Sequence, residues 1–145
     1  IQAAGMREAA EAAGISVDVA TVINSSEVQQ GAESLDVDAY FVPTDNVVVS
    51  GVEGLVQVAE RKQVPVIGSD SGSIERGIIA AQTANYLQQG KDAADMAIQI
   101  FEGADPADMP VQIQETFDLH VNPEAAERMG VVIPDSVLER ATTTY

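Results

Sequence analysis

Over residues 1–69, short β-branched or aromatic runs alternate with helix-like stretches, and this alternation limits the fold more than any other feature of the chain. Residues 1–13 (IQAAGMREAAEAA) are alanine-rich and read as a helix that Gly14 can stop. Residues 17–23 (VDVATVI) read as a strand. Asn24, Ser25 and Ser26 can cap a helix over 27–35. Residues 38–44 (DAYFVPT) form a second strand, followed by a helix over 46–63 with Val49, Val52, Val56 and Ala59 on one stripe. The apolar run 64–69 (VPVIGS) has the character of a strand buried on both faces. Such an order predicts an α/β fold with a doubly wound parallel sheet.

The second half changes character. Residues 68–73 are a small-residue loop, 78–81 a short apolar link, and 83–101 a long helix that Gly103 ends. A turn-rich connection over 105–110 leads to an extended strand over 111–121. Pro123 and Pro134 each open a short helix, the first stopped by Gly130.

With 145 residues and 46% apolar content, the chain is one domain's worth of globular protein. It holds no cysteine, which excludes disulfides and thiolate metal sites. The 23 Asp and Glu against 7 Lys and Arg give a formal net charge of −16. A surface of that sign repels phosphates, so nucleic acid is not expected as a partner. The acids are scattered and include no D-x-D-x-D-G calcium loop. Two readings of the charge stand: a halophilic surface screened by molar salt, or an ordinary acidic protein.

In doubly wound folds, chemistry collects in loops at the carboxyl ends of the strands. Two such loops combine a carboxylate with hydroxyls and free backbone N–H groups: Thr44-Asp45-Asn46 and Ser69-Asp70-Ser71-Gly72-Ser73. Together they suit a zwitterion, with carboxylates for its ammonium and hydroxyl or N–H donors for its carboxylate. The competing roles are a helix cap for Asp45 and a plain strand-to-helix turn for residues 69–73. Nucleophile and nucleotide motifs are absent, and no cofactor is called for. The single histidine, His120, reads as structural. Asp45 and Asp70 could share Mg²⁺, but no lysine stands on a strand-end loop to assist phosphoryl transfer.

The run PVIGSDSGSIERGIIAAQTANYLQQGKDAADMAIQIFEGADPADMPVQ, the later FDLHVNPEAAERMGVVIPDSVLERA and the earlier YFVPTDNVVVSGVEGLVQVA occur in this order. Together they resemble the ABC transporter substrate-binding proteins that include tryptophan- and tyrosine-binding members. The resemblance implies a bilobal, type I periplasmic-binding-protein fold that closes on a small ligand and delivers it to membrane permease subunits outside the cytoplasm. It implies that residues 1–75 and 111–145 belong to the C-terminal lobe, and that 76–110 cross toward an N-terminal lobe preceding Ile1, together with a first strand. It assigns Thr44, Asp45, Asn46, Ser69, Asp70 and Gly72 to ligand-side loops. Gln82 falls on the crossing segment where the family commonly carries an aromatic residue, so stacking partners are sought in Tyr40, Phe41 or the other lobe. Tyr40 and Phe41 read more simply as core. The rival reading is the effector domain of a transcription repressor with the same fold, which needs a basic helix-turn-helix upstream. The isolated chain is expected to cover the apolar stripe Ala93, Met96, Ala97 and Ile100 by refolding or by associating with itself.

Overall fold

The computed structural model describes residues 2–145. Five strands, β1 (Tyr40–Val42), β2 (Val66–Gly68), β3 (Ala80–Ala84), β4 (Phe117–Val121) and β5 (Thr143–Thr144), form one sheet in sequence order. β1, β2 and β3 run parallel, β4 is antiparallel to β3, and β5 is parallel to β4. This is an α/β fold with a mostly parallel sheet, as the alternation predicts.

The core lies on one face of the sheet. Tyr40 and Val42 of β1 and Val66 of β2 point into it, against α2 (Val28–Ser34), α4 (Val52–Lys62) and α6 (Pro123–Arg128). Val42, Val52, Val58, Val66, Ile74, Ile78 and Met129 are fully enclosed, each contributing about 1.5–3 kcal/mol by leaving water. The Tyr40 hydroxyl donates to the Ala32 carbonyl at 2.8 Å, so the one polar atom of that ring is satisfied against α2. Lys62 Nζ donates to the Leu35 carbonyl at 2.7 Å beyond the end of α2, where a cation complements the helix dipole. The opposite face is sparsely covered: Ile67 stays 41% exposed, and α5 (Tyr86–Phe101) buries no residue fully.

Helix α1 (Gln2–Ala12) ends as expected. Gly14 takes φ +73°, and the Ile15 N–H donates back to the Ala10 carbonyl at 2.8 Å, closing a Schellman turn. Pro123 and Gly130 bound α6 in the same manner, with Asn122 as its cap.

Several elements depart from expectation. Residues 17–23, expected as a strand, join no ladder. Their Val22 leans on α2, where a Cβ on Gly31 would meet its Cγ1 at 3.0 Å. Instead of one helix, residues 46–63 form α3 (Asn46–Ser50) and α4, broken at Gly51. The break lets α2 approach closely: a Cβ at Gly51 would sit 2.5 Å from the Ser25 carbonyl oxygen and 2.8 Å from Val28 Cγ2. β2 is buried on one face only. Residues 78–84, expected as a short apolar link and the start of a helix, supply β3 and the core residues Ile78, Ile79 and Ala81, and the helix begins at Tyr86. Its sequence Ala-Ala-Gln-Thr-Ala has little intrinsic strand preference, and pairing on both edges overrides it. Of the strand expected over 111–121, only 117–121 pairs. β3 offers no partner before Phe117, and Val111 and Ile113 stay exposed.

Candidate functional site

The carboxyl ends of β1, β2 and β3 share one rim of the sheet, and the antiparallel β4 begins there. Register brings the candidate residues together. Val42 pairs with Gly68 and Gly68 with Ala81, so the segments after Val42 and Gly68 leave the sheet side by side, with Gln82 in the next position of β3.

Thr44 and Ser69 cross-link the two loops. The Thr44 hydroxyl donates to the Ser69 carbonyl at 3.2 Å and lies 2.9 Å from Ser69 Oγ. Asp45 is the N-cap of α3: its Oδ1 accepts from the Val47 and Val48 N–H groups at 2.9 and 3.1 Å. Asp70 does the same for the turn Ser71–Ser73, its Oδ2 accepting from the Ser73 N–H at 3.0 Å and the Ser73 hydroxyl at 2.8 Å. The bland capping role is therefore real for both carboxylates. Each cap uses one oxygen, and among the described residues nothing donates to Asp45 Oδ2 or Asp70 Oδ1. Asn46 is exposed at the first position of α3, and Gly72 is exposed above Asp70, where a Cβ would stand 3.4 Å from Oδ2. Gln82 is exposed on the sparsely covered face, in register with Leu119. All seven candidates thus lie on one rim, with two carboxylate oxygens, an amide and a second amide facing outward.

Two rim residues escaped the sequence reading. Asn85 caps α5 through the Gln88 N–H at 2.8 Å, and its carbonyl accepts from Gln114 Nε2 at 3.0 Å. Phe117 is paired with Ala84 at the start of β4 and is 52% exposed. In the sequence it lies in the middle of the strand expected over 111–121, so nothing there marked it as a strand start. Tyr40, in contrast, is core, buried with its hydroxyl engaged. His120 packs beside Tyr145, ring centres 6.0 Å apart.

Behind the rim stands Arg76. Its Nε and Nη2 take both oxygens of Glu53, with Nε to Oε1 at 2.6 Å, and Nη1 donates to the Val49 carbonyl at 2.6 Å. That fork holds the Glu53 carboxyl below its ordinary pKa, chiefly through the hydrogen bond, and raises the Arg76 guanidinium further. Among the described residues no group of three or more His, Cys, Asp or Glu could hold a metal ion, and no helix is long and apolar enough to cross a membrane.

A model of the ABC transporter substrate binding protein family matches residues 2–145. The chain belongs to this family. It is a family of solute-binding proteins, not of enzymes. Over 71 residues the chain is 37% identical to the tyrosine-binding protein of Clostridioides difficile (strain R20291), covering 48% of this chain and 21% of that protein. Among solved structures, a conserved domain protein from Vibrio cholerae superposes with a TM-score of 0.83 at 35% identity, over 99% of this chain and 50% of the other. The ABC domain from Streptococcus pneumonia in complex with L-Trp gives 0.81 at 29% identity, over 99% and 51%. A ligand-free, open substrate binding protein with adhesive properties from Clostridium difficile gives 0.80 at 33%, over 98% and 48%. The chain therefore spans about half the length of these solved relatives.

Proposed function

We propose that this chain forms one lobe of the solute-binding component of an ABC uptake transporter, and that its rim holds an amino acid. The observation that carries the reading is the rim itself. Asp45 and Asp70 each keep one unengaged oxygen for an ammonium, while Asn46 and Gln82 offer amide donors for a carboxylate. That relatives of similar fold include an L-Trp complex and a tyrosine-binding protein supports an aromatic amino acid, with Phe117 as the stacking surface.

A single rim is one jaw. The apolar residues of α5 and of the 111–116 stretch face outward, among them Leu87, Ile98, Phe101 and Ile113. We infer that this flank crosses to a second lobe, and that β3, embedded in the sheet, stays with the first. Closure of two lobes then traps the solute, driven by the ligand's tighter hold on the closed form. The complex is handed to a membrane permease outside the cytoplasm. The acidic excess, 23 acids against 7 bases, fits a surface adapted to high salt.

Isothermal titration of the full-length protein with the twenty amino acids tests the reading. Saturable binding of L-tryptophan, L-tyrosine or another zwitterion at micromolar or better affinity is expected. Absence of binding across the set overturns it.

A further inference from the structure

We propose that Arg76 is a positioning residue for the rim: it clamps the junction of α3 and α4 to the loop after β2, so that Asp45 and Asn46 are held at a fixed place relative to Asp70 and Gly72. The proposal rests on the reading that this rim binds solute.

The two halves of the rim belong to different stretches of chain. Asp45 and Asn46 open α3, a single turn that encloses none of its residues fully. Its Val48 and Val49 pack half-buried against the core, but no residue of the turn is fully enclosed, and it ends at Gly51, which supplies no side chain. Asp70 and Gly72 lie in a compact turn whose backbone closes through Ile74 to Ser71 at 3.2 Å and Gly77 to Ile74 at 3.0 Å. Gly77 takes φ +111° and passes so close to α4 that a Cβ there would meet Val56 Cγ1 at 2.9 Å. This passage delivers the neighbouring Arg76 onto the end of α3.

There the guanidinium reaches three groups at once. Nη1 donates to the Val49 carbonyl at 2.6 Å and Nη2 to the Ser50 carbonyl at 3.4 Å, both in the last turn of α3. Nε and Nη2 grip the Glu53 carboxylate at the start of α4. The planar fork suits this arrangement, because a carboxylate and a carbonyl can be held in one plane. Anchoring the last residues of a one-turn helix also fixes its first residues, where Asp45 caps. The Thr44–Ser69 contact ties the same two loops at the strand ends, so the rim is pinned at two points. Without the Arg76 tie, α3 would sample several directions, and only the fraction with both carboxylates in place would bind.

The test uses the full-length protein with L-tryptophan and L-tyrosine as probes. Kd is measured well below the melting temperature of each variant, and melting is measured without ligand. Arg76→Ala is expected to weaken binding about tenfold, corresponding to a competent fraction of about one tenth. Arg76→Lys should recover part of that loss, and Glu53→Gln should fall between wild type and Arg76→Ala. Arg61→Ala, which breaks the exposed Arg61–Glu33 pair away from the rim, should change Kd by less than about twofold. A residue that only adds stability would lower the melting temperature and leave Kd unchanged, and that result overturns the proposal. If Arg76→Ala does not fold, wild-type affinity in both Arg76→Lys and Glu53→Gln overturns it equally. If wild-type protein binds neither probe, the amino-acid reading fails for these ligands. The clamp is then judged by hydrogen exchange at the Val47 and Val48 amides: faster exchange in Glu53→Gln supports it, and unchanged protection removes it.

Discussion

Asp70 serves the fold through one carboxylate oxygen and, in the proposed site, leaves the other for a ligand. Oδ2 accepts from the Ser73 backbone and hydroxyl, and among the described residues nothing donates to Oδ1. Truncation to alanine therefore confounds two losses, a cap worth about 1 kcal/mol of stability and the ligand contact. Asp70→Asn separates them, because the amide oxygen can still take the Ser73 N–H while the charge is gone. The expected outcome is a melting temperature close to wild type with amino-acid affinity reduced by about 1.5–3 kcal/mol, the worth of a charged hydrogen bond. Calorimetry beside thermal melting checks it, and unchanged affinity removes Asp70 from the site. Glu53 makes a separate prediction. Its hydrogen bond from Arg76 depresses its pKa in the folded protein. Its contribution is therefore present above the unfolded carboxylate range and is lost as pH falls through the depressed value. Because Glu53 is more than half exposed, the contribution is about 0.2–1 kcal/mol. The stability difference between wild type and Glu53→Gln should be steady between about pH 7 and 5 and shrink below about pH 4, measured by urea unfolding. A difference that grows in acid would contradict the assignment.

At the scale of elements, what was legible in the sequence was what depends on local chemistry. Gly14 and Gly130 stop helices, Pro123 starts one, and the aromatic and β-branched Tyr40–Val42 and Val66–Gly68 runs are strands, because caps and side-chain shape act within a few residues. Both rim loops were legible for the same reason, since a parallel strand end followed by Asp or Ser marks them. What was hidden depends on partners. β3 is a strand only because β2 and β4 flank it, and residues 17–22, with better strand composition, pair with nothing. The Asn24 cap was legible, but the part of Glu27 three residues on was missed, its carboxylate accepting from the Ile23 N–H at 2.9 Å. The break at Gly51 was hidden because the apolar stripe continues across it; only the approach of Ser25 and Val28 requires a residue without a side chain. Gly51→Ala would raise helix propensity in an isolated peptide. In this fold it should destabilise by about 1–3 kcal/mol, because the clashing atoms include backbone that cannot turn aside. Chemical denaturation decides the sign, and a stabilised variant would mean that α2 and the α3–α4 junction do not meet as described.

For the molecule as a whole, two surface properties act in opposite directions on association. The net charge of −16 opposes contact between copies and, through self-repulsion, weakens the fold itself in dilute buffer. The melting temperature should rise between low salt and about 2 M KCl, where the screening length falls below about 3 Å, and a flat curve would make the acidity incidental. The apolar flank favours contact. Leu87, Ile98 and Phe101 of α5 are exposed, Phe101 by 88%, and Val111 and Ile113 by 87% and 80%. Burying such residues on another surface removes apolar area from water and favours association. KCl screens the opposing charge and leaves the apolar attraction in place, so the balance should tip as screening rises. The 145-residue chain on its own is therefore expected to be mostly monomeric at low salt and low concentration, and to form dimers or larger species as KCl approaches molar levels. Full-length protein, whose second lobe would cover α5, should stay monomeric across the same range. The isolated chain should also bind amino acids at least about a hundredfold more weakly than full-length protein, since one jaw keeps only part of the contacts and has nothing to close against. Light scattering of both proteins over a salt series, with ligand titration of each, measures all of this at once. If the isolated chain is monomeric at every salt concentration and binds at full strength, α5 needs no covering lobe and the rim is a complete site by itself.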